Sequence, residues 1–321
     1  MLVLMSKFAF KTVAILIGLG VILEVTLRLF FGFCNAPLYI EDPDYEYIYA
    51  PNQRVVRFDN VIETNAFSMR SKAISPTDTT VVLLLGDSVI NGGNLSGNSG
   101  LASSQLELRL TKSLGRAVRV LNISAGSWGP DNAAAYLKKW GTFNADLLCL
   151  VASSHDAHDN ITHQAVVGVS RNHPKKQYAS AIYELWVRYV FPRANYYVSH
   201  DLMMNQNFAP KPNRIHKNGK TFNAGFEQLR ALSEALAIPF VLYLHAETSE
   251  IAAKKYNSEG QEIIGFAKAH PSVQLIEDLR LGVGPALYRD NDLVHFNNDG
   301  QRFLSNQLFP VFLTNLRRAQ K

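Results

Sequence analysis

The sequence predicts an α/β protein built on a mostly parallel sheet with helices on both faces. Apolar, strand-like runs alternate with helical segments of ten or more residues, and such connections require crossovers between parallel strands. The apolar run Val81 to Leu85 ends at Gly86-Asp87-Ser88, as expected of a central strand buried on both faces. Open sheets of this kind place their chemistry at the carboxyl edge of the strands. Ser88 therefore lies where a reactive side chain is expected.

The alternation of strands and helices continues to the end of the chain. Further strands are expected at Val118 to Ile123, Leu147 to Ala152, Phe240 to Leu244 and Val273 to Ile276. Helices are expected at Gly100 to Leu114, Asp131 to Trp140, Phe222 to Leu236, Ser258 to Ala269 and Asp299 to Leu316. Each helix is long enough to connect one strand to a parallel neighbour.

The 321-residue chain has a globular composition, with 47% hydrophobic and 18% charged residues, which excludes general disorder. Its net charge of +5 is concentrated in residues 161–220, where nine Lys or Arg accompany two Asp or Glu. No nucleic-acid-binding module is recognisable, so nucleic acid is not an expected partner. Cys34 and Cys149 are too few for a disulfide framework, and Cys149 is interpreted as a small buried hydrophobic residue.

An apolar segment near the N-terminus predicts a membrane anchor. Val13 to Phe33 spans 21 residues, enough to cross a bilayer as a helix. Within it, Glu24 and Arg28 are four residues apart and can pair on one helix face. Lys7 and Lys11 precede the segment, which predicts that the N-terminus stays in the cytoplasm and the rest is exported. A cleaved signal peptide and a buried N-terminal helix are the alternatives.

We divide the chain into an anchor at residues 1–36, an extended lead-in at 37–80 and a main domain at 81–321. The lead-in combines proline steps with tyrosine and valine, which predicts short strands and turns. A basic segment with eight aromatic residues interrupts the main domain at about 160–220. Such an insertion at the carboxyl edge of the sheet would cover the active site and suit an anionic or sugar-like ligand. The alternative is a small helical subdomain with solvated charges.

Ser88 is the candidate nucleophile. A serine hydroxyl needs a histidine to take its proton and a carboxylate to orient that histidine. Asp292 and His295 lie three residues apart in a loop that precedes the last helix. That spacing lets the carboxylate reach the ring within one turn, whereas an isolated Asp-x-x-His could also be surface decoration.

The combination of Gly86-Asp87-Ser88 with Asp292-Leu293-Val294-His295 resembles the SGNH (GDSL-type) hydrolase superfamily. The resemblance covers about residues 65 to 315. It implies a flavodoxin-like three-layer α/β/α sandwich that hydrolyses or transfers acyl groups through a triad of Ser88, His295 and Asp292. The turn differs from the nucleophile elbow of the α/β-hydrolases, because Ile90 occupies the place of the second glycine.

The same resemblance implies an oxyanion hole formed by the Ser88 amide, a glycine after the second strand and an asparagine after the third. Gly126 is the best match for the glycine, and Gly129 is the alternative. His155 stands at the place of the asparagine. Because an imidazole N–H can donate to an oxyanion as a carboxamide does, His155 is expected to be the third donor. Its protonation would then make activity sensitive to acid.

A metal site is a competing interpretation of the segment that contains His155. Ligand-type residues are dense there: His155, Asp156, His158, Asp159 and His163. Their spacing matches no metal-binding motif, so we expect neither a metal nor a cofactor. Asp156, like Asp87, is instead expected to support the site.

The resemblance also indicates a function. The segment Asn65 to Ser71 resembles membrane-anchored members that act on cell-envelope polysaccharides, which implies an O-acetyltransferase or esterase of the bacterial inner membrane with its domain facing the periplasm or cell exterior. The expected partners are an acylated carbohydrate or acyl donor, the membrane and proteins of polysaccharide biosynthesis. The alternative is a catalytically silent subunit of the same fold that holds or escorts a polysaccharide within a membrane assembly.

Overall fold

The computed structural model describes residues 7–75, 80–194, 215, 217 and 219–318. Residues 1–6 of the predicted anchor and 76–79 of the predicted lead-in lie outside this part. So does most of the predicted insertion after residue 194, including the aromatic residues Tyr196, Tyr197 and Phe208.

The N-terminal segment forms a long apolar helix, α1 (Lys7–Phe31). Among the described residues, it is the helix that is long and apolar enough to cross a membrane, from Ala9 to Phe31. The predicted pair forms, with Arg28 Nε 2.8 Å from Glu24 Oε1. Glu24 also accepts hydrogen bonds from backbone amides of residues 179–182, and Arg28 donates to a carbonyl there. This end of α1 is therefore joined to a segment distant in sequence.

The lead-in contains short strands, as expected. They form two antiparallel hairpins: β1 (Tyr39–Asp42) with β2 (Glu46–Tyr49), and β3 (Arg54–Arg57) with β4 (Asn60–Glu63). Tyr45, Tyr47 and Ile48 are buried in the same hydrophobic core as the main sheet. The lead-in therefore packs into the core of the main domain.

A five-stranded parallel sheet organises the main domain. Its strands are β5 (Thr80–Gly86), β6 (Val118–Ser124), β7 (Leu147–Ser153), β8 (Phe240–His245) and β9 (Val273–Glu277). Their spatial order is β6-β5-β7-β8-β9, with every neighbouring pair parallel. Counted from β5 this is the flavodoxin-like order 2-1-3-4-5. Every residue of β5, β7 and β8 is buried, which explains their continuous apolar sequences. The predicted fold class is confirmed.

Helices connect and cover the strands. They are α2 (Ser88–Asn91), α3 (Ala102–Leu114), α4 (Pro130–Trp140), α5 (Ala181–Leu185), α6 (Gly225–Ala235), α7 (Thr248–Ala253), α8 (Ser258–Ala269) and α9 (Asn298–Arg318). A π-helical turn, Trp186–Val190, continues α5. Among the described residues, α3 packs against α9, α4 against α6 and α1 against α5.

Two predicted helices begin later than expected: α3 begins at Ala102 rather than at Gly100, and α6 begins three residues late. α6 starts at Gly225 rather than at Phe222, because the Asn223 side chain accepts the Gly225 N–H at 2.8 Å and ends the preceding loop. A Cβ atom at Gly225 would lie 2.1 Å from the carbonyl carbon of Pro130. Glycine therefore permits the close approach of α6 to α4.

Candidate active site

Ser88 lies at the carboxyl end of β5, as the first residue of α2. Gly86 allows the strand to approach β7 closely, because a Cβ there would lie 2.7 Å from the Val151 carbonyl oxygen. Asp87 caps α2, and its Oδ1 accepts the Val89 N–H at 2.8 Å. Asp87 is buried, whereas Ser88 is partly exposed. The Gly-Asp-Ser sequence therefore presents the hydroxyl at the edge of the sheet.

The structure brings Ser88, His295 and Asp292 together. His295 Nε2 lies 2.8 Å from Ser88 Oγ. His295 Nδ1 lies 2.8 Å from both carboxylate oxygens of Asp292. Since an ionised carboxylate only accepts, Nδ1 carries the proton and Nε2 is the acceptor for the Ser88 hydroxyl. This is the arrangement that deprotonates a serine during nucleophilic attack.

Asp292 is stabilised as an anion by its own loop. Its Oδ1 accepts the backbone N–H groups of Val294 and His295 at 3.0 and 2.9 Å. Partial burial alone would favour the neutral acid, but the hydrogen bonds from His295 and from these amides hold the pKa of Asp292 far below its ordinary value. The carboxylate is therefore charged at neutral pH and fixes the orientation of the His295 ring.

The reactive atoms open into a cavity of about 220 Å³. Ser88, His295 and Gly126 line it, together with residues from three other parts of the chain. The lead-in contributes Pro37, Tyr39 and Tyr49, the loop after α2 contributes Gly93 and Asn94, and the predicted insertion contributes Asn172, His173 and Arg188. The described part of the insertion thus forms one wall of this cavity.

Of the two glycines proposed for the oxyanion hole, Gly126 is the one at the cavity. A Cβ there would meet no atom within 4 Å. Within the described part of the chain, neither the Gly126 amide nor the Ser88 amide donates a hydrogen bond to another residue. Gly129 instead begins α4, and its N–H donates to Asn132 Oδ1 at 2.8 Å. The structure therefore leaves the Gly126 and Ser88 amides available to a ligand.

His155 follows β7, but its ring is held by carboxylates and does not line the cavity. Its Nδ1 lies 3.0 Å from Glu247 Oε1, and its Nε2 lies 3.8 Å from Asp87 Oδ2. Burial opposes a charge on the ring, but the surrounding carboxylates outweigh it and raise the pKa of His155 well above its ordinary value. Despite burial, the His155 ring keeps the pKa of Asp87 low. The surrounding carboxylates therefore favour the protonated form of the His155 ring.

Asp156 supports the end of β7. Its Oδ2 accepts the Ser153 N–H at 2.7 Å, while the buried Oδ1 has no hydrogen-bond partner in the described part of the chain. Asp87, His155 and Asp156 each bring one ligand-type atom within 4.8 Å of the others, so these three could in principle hold a metal ion. His158 instead pairs with Glu262 at 3.1 Å. The dense ligand-type segment is therefore divided between different partners.

Several neighbours of the site were not identified from the sequence. Arg70 is buried and donates to backbone carbonyls of Asn91, Gly93 and Ser96, which fixes the loop after Ser88. His245 and Asp278 form a second buried pair, and His245 Nε2 donates to the Val294 carbonyl next to His295. Both members of this pair lie at the carboxyl edge of the sheet, a position that could have identified them.

Comparison with solved structures finds similar architectures at low sequence identity. A lipase/acylhydrolase from Enterococcus faecalis is 13% identical, with 74% of this chain and 96% of that chain covered and a TM-score of 0.42. A family 3 carbohydrate esterase from Clostridium thermocellum is 14% identical, with 74% and 98% covered and a TM-score of 0.41. A catalytic mutant of an acetylxylan esterase from Geobacillus stearothermophilus is 11% identical, with 74% and 95% covered and a TM-score of 0.40. No protein-family model and no curated protein matches the chain.

Proposed function

We propose that this protein is a serine-dependent acyl-ester hydrolase or O-acyltransferase that acts on O-acetyl groups of a cell-envelope or extracellular polysaccharide. The observation that carries this proposal is the hydrogen-bonded series from Ser88 Oγ through His295 to Asp292 at the wall of a cavity. The sequence motifs around Ser88 and His295 support the same reaction class.

In the first half of the proposed reaction, His295 Nε2 accepts the Ser88 hydroxyl proton as Oγ attacks the ester carbonyl carbon. The carbonyl π electrons move to oxygen and form a tetrahedral oxyanion. When the oxyanion collapses, the bond to the alcohol oxygen breaks and His295 returns its proton to that oxygen. The products are a free alcohol and an acyl group on Ser88.

In the second half, His295 takes a proton from a new nucleophile, which attacks the acyl carbon on Ser88 and forms a second tetrahedral oxyanion. When this oxyanion collapses, the bond between the acyl carbon and Ser88 Oγ breaks, and His295 returns its proton to Oγ. If the nucleophile is water, the protein is an esterase. If it is a sugar hydroxyl, the protein is an O-acyltransferase. Asp292 holds the same His295 orientation in both halves, so the triad serves either outcome.

We assign the Ser88 and Gly126 amides to the oxyanion, since both are available beside the cavity. Each well-placed donor lowers the barrier by roughly 2.7 to 4 kcal/mol. His155 remains a proposed third donor through Nε2, which lies 3.8 Å from Asp87 Oδ2, since Nδ1 contacts Glu247 Oε1 at 3.0 Å. This role requires the ring to approach the cavity, which it does not line.

Two variants test the role of His155. If it donates to the oxyanion, His155→Ala reduces kcat by about a hundredfold or more, and His155→Asn keeps more activity because its amide can donate in the same place. Steady-state kinetics with p-nitrophenyl acetate measure both, and circular dichroism checks the fold. An equally active His155→Ala variant contradicts the role.

We also propose that α1 is an uncleaved anchor in the bacterial inner membrane, with the domain facing the periplasm or cell exterior. A helix of 25 residues is about 37 Å long, compared with a hydrocarbon core of about 30 Å. The segment joined to α1 exposes Tyr183, Trp186 and Phe191, and aromatic side chains of this kind are typical of the membrane interface. Mass spectrometry of the membrane-extracted protein tests this, because cleavage in or after α1 would indicate a signal peptide.

Labelling of the full chain in detergent with a fluorophosphonate tests the reaction class. We expect an adduct on Ser88, identified by mass spectrometry of the peptide, and none in Ser88→Ala. Incubation with an acetyl donor, with and without candidate glycans, then distinguishes hydrolysis from transfer by where the acetyl group goes. Absence of both labelling and turnover would instead favour a catalytically silent polysaccharide-binding subunit within an assembly of polysaccharide biosynthesis proteins.

A further inference from the structure

Among the described residues, the cavity beside Ser88 is lined by positively charged side chains and by no negatively charged ones. Its lining includes two arginines, Arg188 and Arg289, and two histidines, His173 and His295, but no aspartate or glutamate of the described residues. Burial and the neighbouring Arg188 charge lower the pKa of His173 to about 4, so this ring is neutral at physiological pH. The positive charge of the cavity wall therefore comes from the two guanidinium groups.

Arg188 is buried, and its one carboxylate partner is shared. Glu184 Oε1 lies 2.9 Å from Arg188 Nη1 and 2.7 Å from Arg57 Nη2. The side chains of Glu184 and Arg57 are fully buried. One negative charge thus stands between two positive charges, which leaves an excess of one positive charge in this cluster beside the cavity.

Arg289 lies far from Arg188 in the sequence, in the loop that carries Asp292 and His295. Its Nη2 donates to the Gly92 carbonyl at 2.8 Å, and its buried Nε has no acceptor in the described part of the chain. The Asp292 carboxylate in the same loop acts on the Arg289 charge but pairs with His295, and among the described residues no carboxylate forms an ion pair with the Arg289 guanidinium group. A partly buried cation with an unused donor is costly unless an anion pairs with it.

We propose that the substrate carries an anionic group, a carboxylate or a phosphate, that binds between Arg188 and Arg289 while its ester reaches Ser88. This inference rests on the proposed function and narrows its target to an anionic carbohydrate ester. The planar guanidinium group matches carboxylate and phosphate oxygens in two parallel hydrogen bonds. A neutral sugar in the same place leaves Arg188 with only the Glu184 carboxylate that it shares with Arg57, and leaves Arg289 without an anionic partner.

Kinetic selectivity is the first test. The full chain in detergent is assayed with two matched esters, acetylated methyl glucoside and acetylated methyl glucuronide, and with acetylated glucose 6-phosphate as a third. We expect kcat/KM to be about 10- to 100-fold higher for at least one of the anionic esters than for the neutral one, the range expected of hydrogen bonds to charged groups. Comparison of the two anionic esters distinguishes a carboxylate from a phosphate.

The arginines are then replaced one at a time. Arg188→Gln and Arg289→Gln are expected to reduce the anionic-to-neutral ratio by about tenfold or more, mainly through KM. Arg188→Lys keeps the charge and retains part of the ratio. Arg193→Gln is the matched control, because Arg193 is exposed on the same segment and donates to the backbone carbonyl of Tyr189. It is expected to keep the wild-type ratio.

Binding to the Ser88→Ala variant separates this inference from the proposed function. Calorimetry with glucuronate and glucose oligosaccharides reports anion recognition without any turnover. Tighter binding of the glucuronate ligand, lost in the added Arg289→Gln substitution, supports the inference even if Ser88 proves inert. Equal binding and equal kcat/KM for neutral and anionic ligands overturn it, while fluorophosphonate labelling of Ser88 would still uphold the reaction class.

Discussion

Two histidine–aspartate pairs lie at the carboxyl edge of the same sheet, and they differ in what the second ring nitrogen faces. In the open pair, His295 and Asp292, the distance is 2.8 Å and the side chains are 29% and 25% exposed. In the closed pair, His245 and Asp278, the distance is 2.7 Å and both are fully buried. Nε2 of the open pair faces the Ser88 hydroxyl, whereas Nε2 of the closed pair faces the Val294 carbonyl.

The difference in what Nε2 faces distinguishes a pair that can act in catalysis from a pair that stabilises the fold. A carbonyl oxygen can only accept, so His245 donates from both nitrogens and is charged. Burial opposes that charge, but the Asp278 carboxylate and the Val294 carbonyl raise the pKa of His245 above its ordinary value. A hydroxyl can donate, so His295 can stay neutral and accept a proton. A histidine that is paired with an aspartate can therefore act as a base only where its Nε2 faces a hydrogen-bond donor.

The largest expected effect is on catalysis through the open pair. Asp292→Asn removes the anion that orients His295 and favours the wrong tautomer, so kcat is expected to fall by about 10⁴-fold with little loss of stability. Asp278→Asn is the matched change in the closed pair and is expected to act mainly on stability. Ester hydrolysis and chemical denaturation of the two variants, measured side by side, check the comparison. Similar kcat values in the two variants would contradict it.

The closed pair is expected to dominate stability. His245→Leu leaves Asp278 buried without its cationic partner, and breaking a buried pair in this way costs about 3 to 5 kcal/mol. The free energy of unfolding is measured by denaturation in detergent. His270→Leu is the control, because His270 is partly exposed and its ion-pair partner lies at 3.8 Å. His270→Leu is expected to lose less than about 1 kcal/mol of the free energy of unfolding. An equally small loss in His245→Leu would show that the closed pair does not stabilise the fold.

The pH dependence of stability should distinguish the two pairs. The folded-state pKa of His245 is raised above 6.5, so its contribution is fully present below the unfolded pKa and is lost as pH rises through the folded one. The folded-state pKa of Asp292 is lowered below 3.8, so its contribution is present above that value and lost only in acid. The stability difference between wild type and His245→Leu is therefore expected to shrink above pH 6.5. A difference that grows with pH would show that His245 is neutral.

The smallest expected effect concerns the space beside the open pair. Gly126→Ala places a methyl group where no atom lies within 4 Å, so the free energy of unfolding is expected to change by about 0.5 kcal/mol or less. The methyl group faces the cavity, so KM should rise by up to about tenfold. Gly265→Ala, in α8 and equally unobstructed, is the control and should leave KM unchanged. A large stability loss in Gly126→Ala would mean that this glycine serves the fold.

The sequence predicted what local patterns determine. Continuous apolar runs identified the strands, and α8 was predicted at its observed bounds, Ser258–Ala269. Asp292 and His295 were paired from their spacing, and a spacing of three residues brings side chains together without knowledge of the fold. The flavodoxin-like fold class followed from a resemblance and is confirmed by the parallel sheet.

The features that the sequence did not predict depend on contacts between distant parts of the chain. Arg188 and Arg289 are about a hundred residues apart in the sequence, and they line the same cavity only because the fold brings distant segments together. The orientation of His155 depends on Glu247, in the connection after β8. The sequence near His155 does not predict this partner. The tyrosines of the lead-in predicted short strands, but not that Tyr47 donates to the Gly126 carbonyl at 2.8 Å.

The hydrogen bonds between α1 and residues 179–182 affect the position of the cavity relative to α1. Glu24 holds the start of α5, and Glu184 within α5 holds Arg188 at the cavity wall. Hydrogen bonds and an ion pair thus connect α1 through α5 to the cavity wall. If α1 spans a membrane as proposed, these contacts fix the distance between the bilayer and the cavity. Exchange of α1 for an unrelated apolar helix should therefore alter which esters are reached while the chemistry at Ser88 stays the same.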